Sequence, residues 1–192
     1  MARTPSTMLE LGTNLPSFTL YEPSGEKFST EGLAIKNALV VMFICNHCPF
    51  VIHVQSELVR LSYDYTKKSI DFVAINSNDV INYPDDAPDK MLVEKRRVGY
   101  AFPYLFDGSQ NVAKSFRAAC TPDFYIFDRG KKLIYRGQLD DSRPGNSIQP
   151  TGADIRRVLD CVLEKSYIPS VQKTSLGCNI KWIPGNEPDY FG

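Results

Sequence analysis

The chain has 192 residues, 22 Lys+Arg against 22 Asp+Glu, and a hydrophobic fraction of 43%. At roughly 150 residues per domain this reads as one domain over residues 1–192, large enough to bury a core without disulfide staples. Balanced charge leaves no electrostatic footprint for nucleic acid or an anionic membrane, and no apolar run approaches the ~20 residues of a bilayer span. The first dozen residues, MARTPSTMLELG, lack the apolar segment of a secretory signal, so a cytoplasmic setting is expected.

Taken in chain order, LPSFTLYEPSGEKFSTEGL alternates around a Pro-Ser-Gly turn and predicts a short N-terminal β-hairpin. ALVVMFIC, Ala38 to Cys45, is continuously apolar and β-branched, as a strand covered on both faces should be. Beyond Pro49, apolar residues at Val51, Val54, Leu58, Leu61 and Tyr65 step by three and four and predict a helix. Ile70 to Ile75 is a second buried strand, which makes a βαβ unit with a parallel pair. The polar run NSNDVINYPDDAPD, residues 76–89, predicts a loop at the carboxyl ends of these strands, followed by a short helix over 90–100. A third apolar stretch follows Pro103, and Asn111 to Ala119 reads as helical. PDFYIFDRGKKLIYRG is a hairpin turning at Asp128-Arg129-Gly130. Ile155, Val158, Leu159, Val162 and Leu163 mark a closing helix capped by Thr151 or Asp154. Residues 170–192 carry Gly177, Pro184, Gly185 and Pro188 and predict an irregular tail packed on the domain. The order implies an α/β fold, a central mixed sheet flanked by helices.

Five cysteines are present: Cys45, Cys48, Cys120, Cys161 and Cys178. Their odd number, and a chain that needs no staples, favour chemistry over structural disulfides. Cys45-Asn46-His47-Cys48 lies where the first buried strand gives way to its helix. Two sulfurs at this spacing in a first helical turn can close a disulfide with little backbone movement, and a helix N-terminus stabilises the reactive thiolate. Cys45, the earlier and more exposed sulfur, is the expected nucleophile, and Cys48 resolves. A cationic His47 beside Cys45 would lower its pKa. Pro49 disfavours helical geometry at Cys48, and a helix that starts only there would weaken the dipole's hold on Cys45. No second cysteine or histidine pair completes a zinc site, so neither metal nor organic cofactor is expected.

A C-x-x-C after the first core strand, with Thr121-Pro122 before a late hairpin, resembles the thioredoxin superfamily. The pieces LPSFTLYEPSGEKFS, CNHCPFV, INSNDVINYPDDAPDKM, CTPDFYIFD, YRGQLDDSRPGN and GCNIKWIPGNEP more narrowly resemble its redoxin branch. That branch is related to alkyl hydroperoxide reductase and thiol-specific antioxidant proteins. The resemblance implies a thioredoxin fold with an N-terminal hairpin extension. It also implies a cis bond at Thr121-Pro122, whose loop faces the dithiol and pairs with the substrate backbone. Cys120 would then lie near Cys45 as a third thiol or a resolving one, unless it is a small packed residue.

Two departures stand out. The Pro-x-x-x-Thr-x-x-Cys of peroxiredoxins is Ala38 and Met42 here, and the strand before the dithiol carries no buried acid, which leaves Asp79 or Glu57 as weak substitutes. Cys161 is expected in the core and His53 exposed; Cys178 is expected to pack in the tail, with a reach to the site as a distant resolving thiol as the alternative. Arg117, Arg136 and Arg143 are candidate polarising cations for a thiolate or peroxide, each more readily a solvated surface arginine. The expected activity is disulfide reduction or exchange, with weak peroxide reduction through Cys45 as the alternative. Partners would be protein or small-molecule disulfides and thiols, and an external redoxin or thiol reductant.

Overall fold

The computed structural model describes residues 3–191. Its main sheet has seven strands. β1, Arg3–Pro5, lies outside it, and the hairpin β2 (Thr19–Tyr21) and β3 (Lys27–Ser29) forms one margin. The centre is β4 (Ala38–Phe43), then helix α1 (Pro49–Thr66), then β5 (Ile70–Asn76), with β5 parallel to β4 as the βαβ pattern predicts. Helix α2 (Pro88–Val98) leads to β6 (Tyr104–Phe106), parallel to β5 on its far side. After α3 (Asn111–Ser115) and β7 (Cys120–Thr121), the hairpin β8 (Asp123–Asp128) and β9 (Leu133–Gly137) closes the other margin, β8 running antiparallel to β4. Helix α4 (Ala153–Glu164) follows, and β10 (Leu176–Asn179) comes last. The main sheet is ordered β3-β2-β6-β5-β4-β8-β9. This is the thioredoxin layout, a mixed sheet with helices on both faces.

Successive side chains of a strand point to opposite faces, and β4 supplies both cores. Ala38, Val40 and Met42 pack with the α1 stripe (Val51, Val54, Leu58, Leu61, Tyr65) and with Ile155, Val158 and Leu159 of α4. Leu39, Val41 and Phe43 face the second core, where Val112, Ala113 and Phe116 cover the sheet. Phe116, fully buried, meets Phe18, Phe43, Tyr125 and Phe127 edge-on at centroid distances of 5.3 to 6.0 Å. α3 ends earlier than the sequence suggests, because the chain turns through a left-handed residue at Arg117 (φ 49°). The residue capping α4 is Gly152 (φ 66°), with the Asp140 carboxylate accepting the Thr151 and Gly152 N–H groups at 2.7 Å each, rather than Thr151 or Asp154. Among the described residues no helix is long and apolar enough to cross a membrane.

The tail departs from expectation. Residues 176–179 form a strand, and β1-β10-β7 make a second, antiparallel sheet. Pairing partners more than 50 residues away in the chain decide this, so no local pattern announces it. Gly177 allows it, since a Cβ there would collide with the Thr121 carbonyl oxygen.

Replacing Phe116 by alanine removes the hub of the aromatic cluster and should cost about 3–5 kcal/mol. The check is urea denaturation with an unchanged m-value; a loss under 1 kcal/mol would show that the cluster does not anchor this face.

Candidate active site

Strand β4 ends at Phe43 and α1 begins at Pro49, so the dithiol occupies the turn between them. Proline suits the first position of a helix, where its missing N–H costs nothing, and it holds the preceding residue extended. Cys48 is accordingly the N-cap, with φ −72° and ψ 121°, and lies outside the helix proper. The helix terminus therefore serves Cys48 rather than Cys45, and the sulfurs do not share a first helical turn. Both are buried: Cys45 keeps 3% of its surface and Cys48 none, so Cys45 is the more accessible by a narrow margin rather than an exposed thiol.

Thr121 faces both sulfurs. Its Oγ1 lies 3.5 Å from Cys45 Sγ, and its carbonyl oxygen accepts a hydrogen bond from the Cys48 thiol at 3.2 Å. The Thr121–Pro122 bond is cis. Antiparallel pairing sets Cys178 of β10 directly opposite Thr121, on the same face, and Asn179 opposite Cys120. The third sulfur at the site is thus Cys178, which hydrogen-bonds to Cys48. Cys120 is in the strand but turned away. Its fully buried thiol points at the Pro122 carbonyl oxygen, 3.7 Å away, so the expectation that it sits against Cys45 is corrected by strand alternation.

Charge follows these contacts. Hydrogen bonds from Cys178 and from Cys45 converge on Cys48 and pull its pKa far down, while burial, the bond to Cys48 and the Asp86 carboxylate push Cys45 up. Cys48 is thus the more acidic of the two sulfurs and the first to ionise, the reverse of the expected lowering at Cys45. Asp86, fully buried, accepts from the Asn46 N–H at 2.8 Å and from Asn78 Nδ2 at 2.7 Å, and its Oδ2 lies 2.7 Å from His47 Nδ1. That partner raises the His47 pKa despite partial burial. The His47 ring also stacks on Tyr83 at 5.6 Å. Asp86 is the buried acid that the strand before the dithiol lacks. Asp79 instead caps its own turn through the Ile81 and Asn82 N–H groups, and Glu57 is tied to Arg60 and Arg156, so neither substitute serves. The signal for Asp86 lay in the run of Asn and Asp over residues 76–89. No spacing rule distinguishes it from Asp79, Asp85 or Asp89.

The remaining candidates disperse. Arg136 binds the Leu9 carbonyl and Gln172, Arg143 binds the Asp140 and Ser142 carbonyls, and Arg117 lies over the Tyr190 ring. Cys161 is half-buried at the edge of the α4 stripe, not in the core, and His53 is half-buried rather than exposed. Lys181, unremarked in the sequence, is 7% exposed with its ammonium on Asn179, and it lowers the pKa of both His47 and Cys178. Asp123, directly after Pro122, accepts from Ser6 and Tyr125, and burial pushes it up to about 7. Cys45, His47 and Asp86 bring one donor atom each within 4.8 Å of one another, a set that could take a metal ion but is one ligand short of a closed zinc site.

The model of the family described as Redoxin matches residues 10–155, a span that includes the dithiol and the cis-proline loop. The chain belongs to the Redoxin family. An uncharacterized conserved protein from Geobacillus kaustophilus is 54% identical, with a TM-score of 0.93 over 96% of this chain and 98% of that one. A hypothetical protein from Sinorhizobium meliloti is 43% identical, with a TM-score of 0.91 over 94% of this chain and 98% of that one. A secreted disulfide oxidoreductase from Mycobacterium tuberculosis shares the fold alone, at 15% identity and a TM-score of 0.58 over 75% of this chain and 95% of that one. No curated protein matches. The Redoxin match stops before β10, so the strand that brings Cys178 to the site lies outside it.

Asp86→Asn should lower the His47 pKa by about one unit or more, read from the imidazole proton shifts in an NMR titration, and cost roughly 1–3 kcal/mol of stability. An unchanged titration would remove Asp86 as the partner that holds the histidine cationic. Asp123 gives a pH test. Its acid is neutral in the folded protein up to about pH 7 and ionised in the unfolded chain above about pH 4. Its contribution is present below pH 4 and is lost as pH rises through 7, on the order of 2 kcal/mol. Denaturation at pH 5 and pH 8 should show a smaller loss in Asp123→Asn than in the wild type; equal losses would refute it.

Proposed function

We propose that this chain is a thiol–disulfide oxidoreductase that works through the Cys45–Cys48 dithiol. The observation that carries the proposal is the pair of hydrogen-bonded sulfurs held together against Thr121 beside the cis-proline bond. The Cys48 thiolate accepts the Cys45 proton along the bond between them, and the Cys45 sulfur so formed attacks a substrate disulfide. One substrate sulfur leaves as a thiolate, and imidazolium His47, whose ring is partly exposed, supplies its proton. Cys48 then attacks Cys45 in the mixed disulfide, and its proton passes to the second substrate sulfur as that sulfur leaves. That closes Cys45–Cys48 and releases the second substrate thiol. Two electrons pass from the dithiol to the substrate, and an external redoxin or small thiol returns them. The proposed setting is the cytoplasm, with protein or small-molecule disulfides as substrates.

A thiol peroxidase is the weaker reading. Burial raises the Cys45 thiol, and Arg117, Arg136 and Arg143 are engaged elsewhere, which leaves peroxide without the cation that would polarise it.

The test is reduction of insulin disulfides with dithiothreitol as electron donor. Cys45→Ser should lower the rate on the order of 100-fold, and Cys48→Ser should accumulate a mixed disulfide on Cys45. Cys120→Ser and Cys161→Ser should stay within about twofold of wild type. Full activity in Cys45→Ser would overturn the proposal. Oxidation by hydrogen peroxide should run no faster than for a free thiolate.

A further inference from the structure

Cys178 is a sulfur that neither the C-x-x-C motif nor the Redoxin match accounts for, yet the fold spends a strand on it. β10 is held on both edges, with Arg3 opposite Cys178 on β1 and Thr121 opposite Cys178 on β7. The N-terminal end of the strand is fixed as well. The Ser6 N–H donates to the Ser175 carbonyl at 2.9 Å, and the Ser175 hydroxyl donates to the Pro122 carbonyl at 2.6 Å. Gly177 lets the strand press against the Thr121–Pro122 backbone more closely than any side chain would permit. Cys178 is 2% exposed and packs in one core cluster with Cys45 and Cys48. Two alternations agree on its direction: Thr121 turns its face to the dithiol, and Cys178 shares that face by register. The hydrogen bond to Cys48 and burial keep the Cys178 thiol protonated, and Lys181, three residues on, opposes this only in part, so Cys178 must give up its proton as it attacks.

The edge of β7 beside the cis-proline bond is therefore already paired, by the chain's own tail, and the residue presented there is a cysteine. Cys48 lies between two thiols, each close enough to hydrogen-bond with it. In thiol–disulfide exchange the attacking sulfur approaches one sulfur of a disulfide and expels the other. With Cys45–Cys48 closed, Cys178 abuts the Cys48 sulfur, so Cys45 is the natural leaving group.

We infer that Cys178 is a third redox-active cysteine, which exchanges with the Cys45–Cys48 disulfide to give Cys48–Cys178 and a free Cys45. The inference rests on the function proposed above. The step conserves electrons: one S–S bond breaks between Cys45 and Cys48, one forms between Cys48 and Cys178, and the Cys178 proton ends on Cys45. No outside oxidant or reductant takes part beyond the substrate disulfide that first oxidised the dithiol. The exchange moves the disulfide inward, into the tail strand, and returns the more accessible sulfur to the reduced thiol.

The experiment is disulfide mapping of the full chain after oxidation by glutathione disulfide, with acid quenching, alkylation and mass spectrometry of a non-reduced digest. Wild type should show Cys45–Cys48 together with Cys48–Cys178, the second on the order of a tenth or more of oxidised molecules. Cys45→Ser should convert almost fully to Cys48–Cys178 while folded, as judged by circular dichroism. Cys45→Ala gives the same test should the serine disturb folding. If wild type forms Cys45–Cys48 while the folded variants stay reduced or keep glutathione on Cys48, the relay is overturned and the proposed function stands. If wild type forms no Cys45–Cys48 bond and does not turn over insulin, the proposed function falls, and the relay with it.

Discussion

The position of Thr121 is the constraint on which the site depends. Its hydroxyl lies against Cys45, its carbonyl oxygen accepts from Cys48, and its register partner is Cys178. One residue on a two-residue strand thus touches or opposes all three sulfurs. It holds that place because β8, immediately beyond Pro122, is locked antiparallel to β4, whose last residue, Phe43, stands opposite Asp123. The turn carrying the dithiol leaves β4 at the same end of the sheet, and the two loops are brought together by the ladder between their strands.

Around this frame the charges are divided between two sides. On the loop after β5, Asp86 binds Asn46, Asn78 and His47, which gathers the dithiol turn and the 76–89 loop onto one buried carboxylate. A buried charge is tolerable only where donors satisfy it, and here three converge. On the tail, Lys181 supplies the opposing cation. The acid disfavours charge on Cys45 while the hydrogen bonds of Cys45 and Cys178 favour it on Cys48, so the two sulfurs differ sharply in proton affinity although both are buried. The accessible sulfur holds its proton the more tightly, and the sheltered one is the first to ionise.

Much of the fold was legible because its signals are local. The alternation around Pro-Ser-Gly, the all-apolar β4 and the three-and-four stepping of α1 and α4 each lie within a window of 20 residues, and all appear where expected. The C-x-x-C and Thr121-Pro122 pairs were legible for the same reason, whereas the cis geometry of the second was what the family resemblance implied. The strand at 176–179 was not, since a tail with five glycines and prolines becomes a strand only when β1 and β7 are present on either side. Asp86 was missed because four aspartates in one loop are equivalent until the loop folds. The dipole expectation for Cys45 failed on a detail that Pro49 had signalled: the helix starts one residue after Cys48, not at Cys45.

By itself the sequence determined the apolar periodicities, the C-x-x-C spacing and the Thr-Pro pair, and with them membership of the Redoxin family. Covalent order sets all of these, through the few dihedrals between neighbouring residues. Tertiary structure alone decided which sulfur is the more acidic, which acid holds His47, and that the third thiol is Cys178 rather than Cys120. Those outcomes depend on which face of a strand meets which neighbour, and antiparallel register between segments some 55 residues apart moves a side chain from one face to the other with a shift of a single residue.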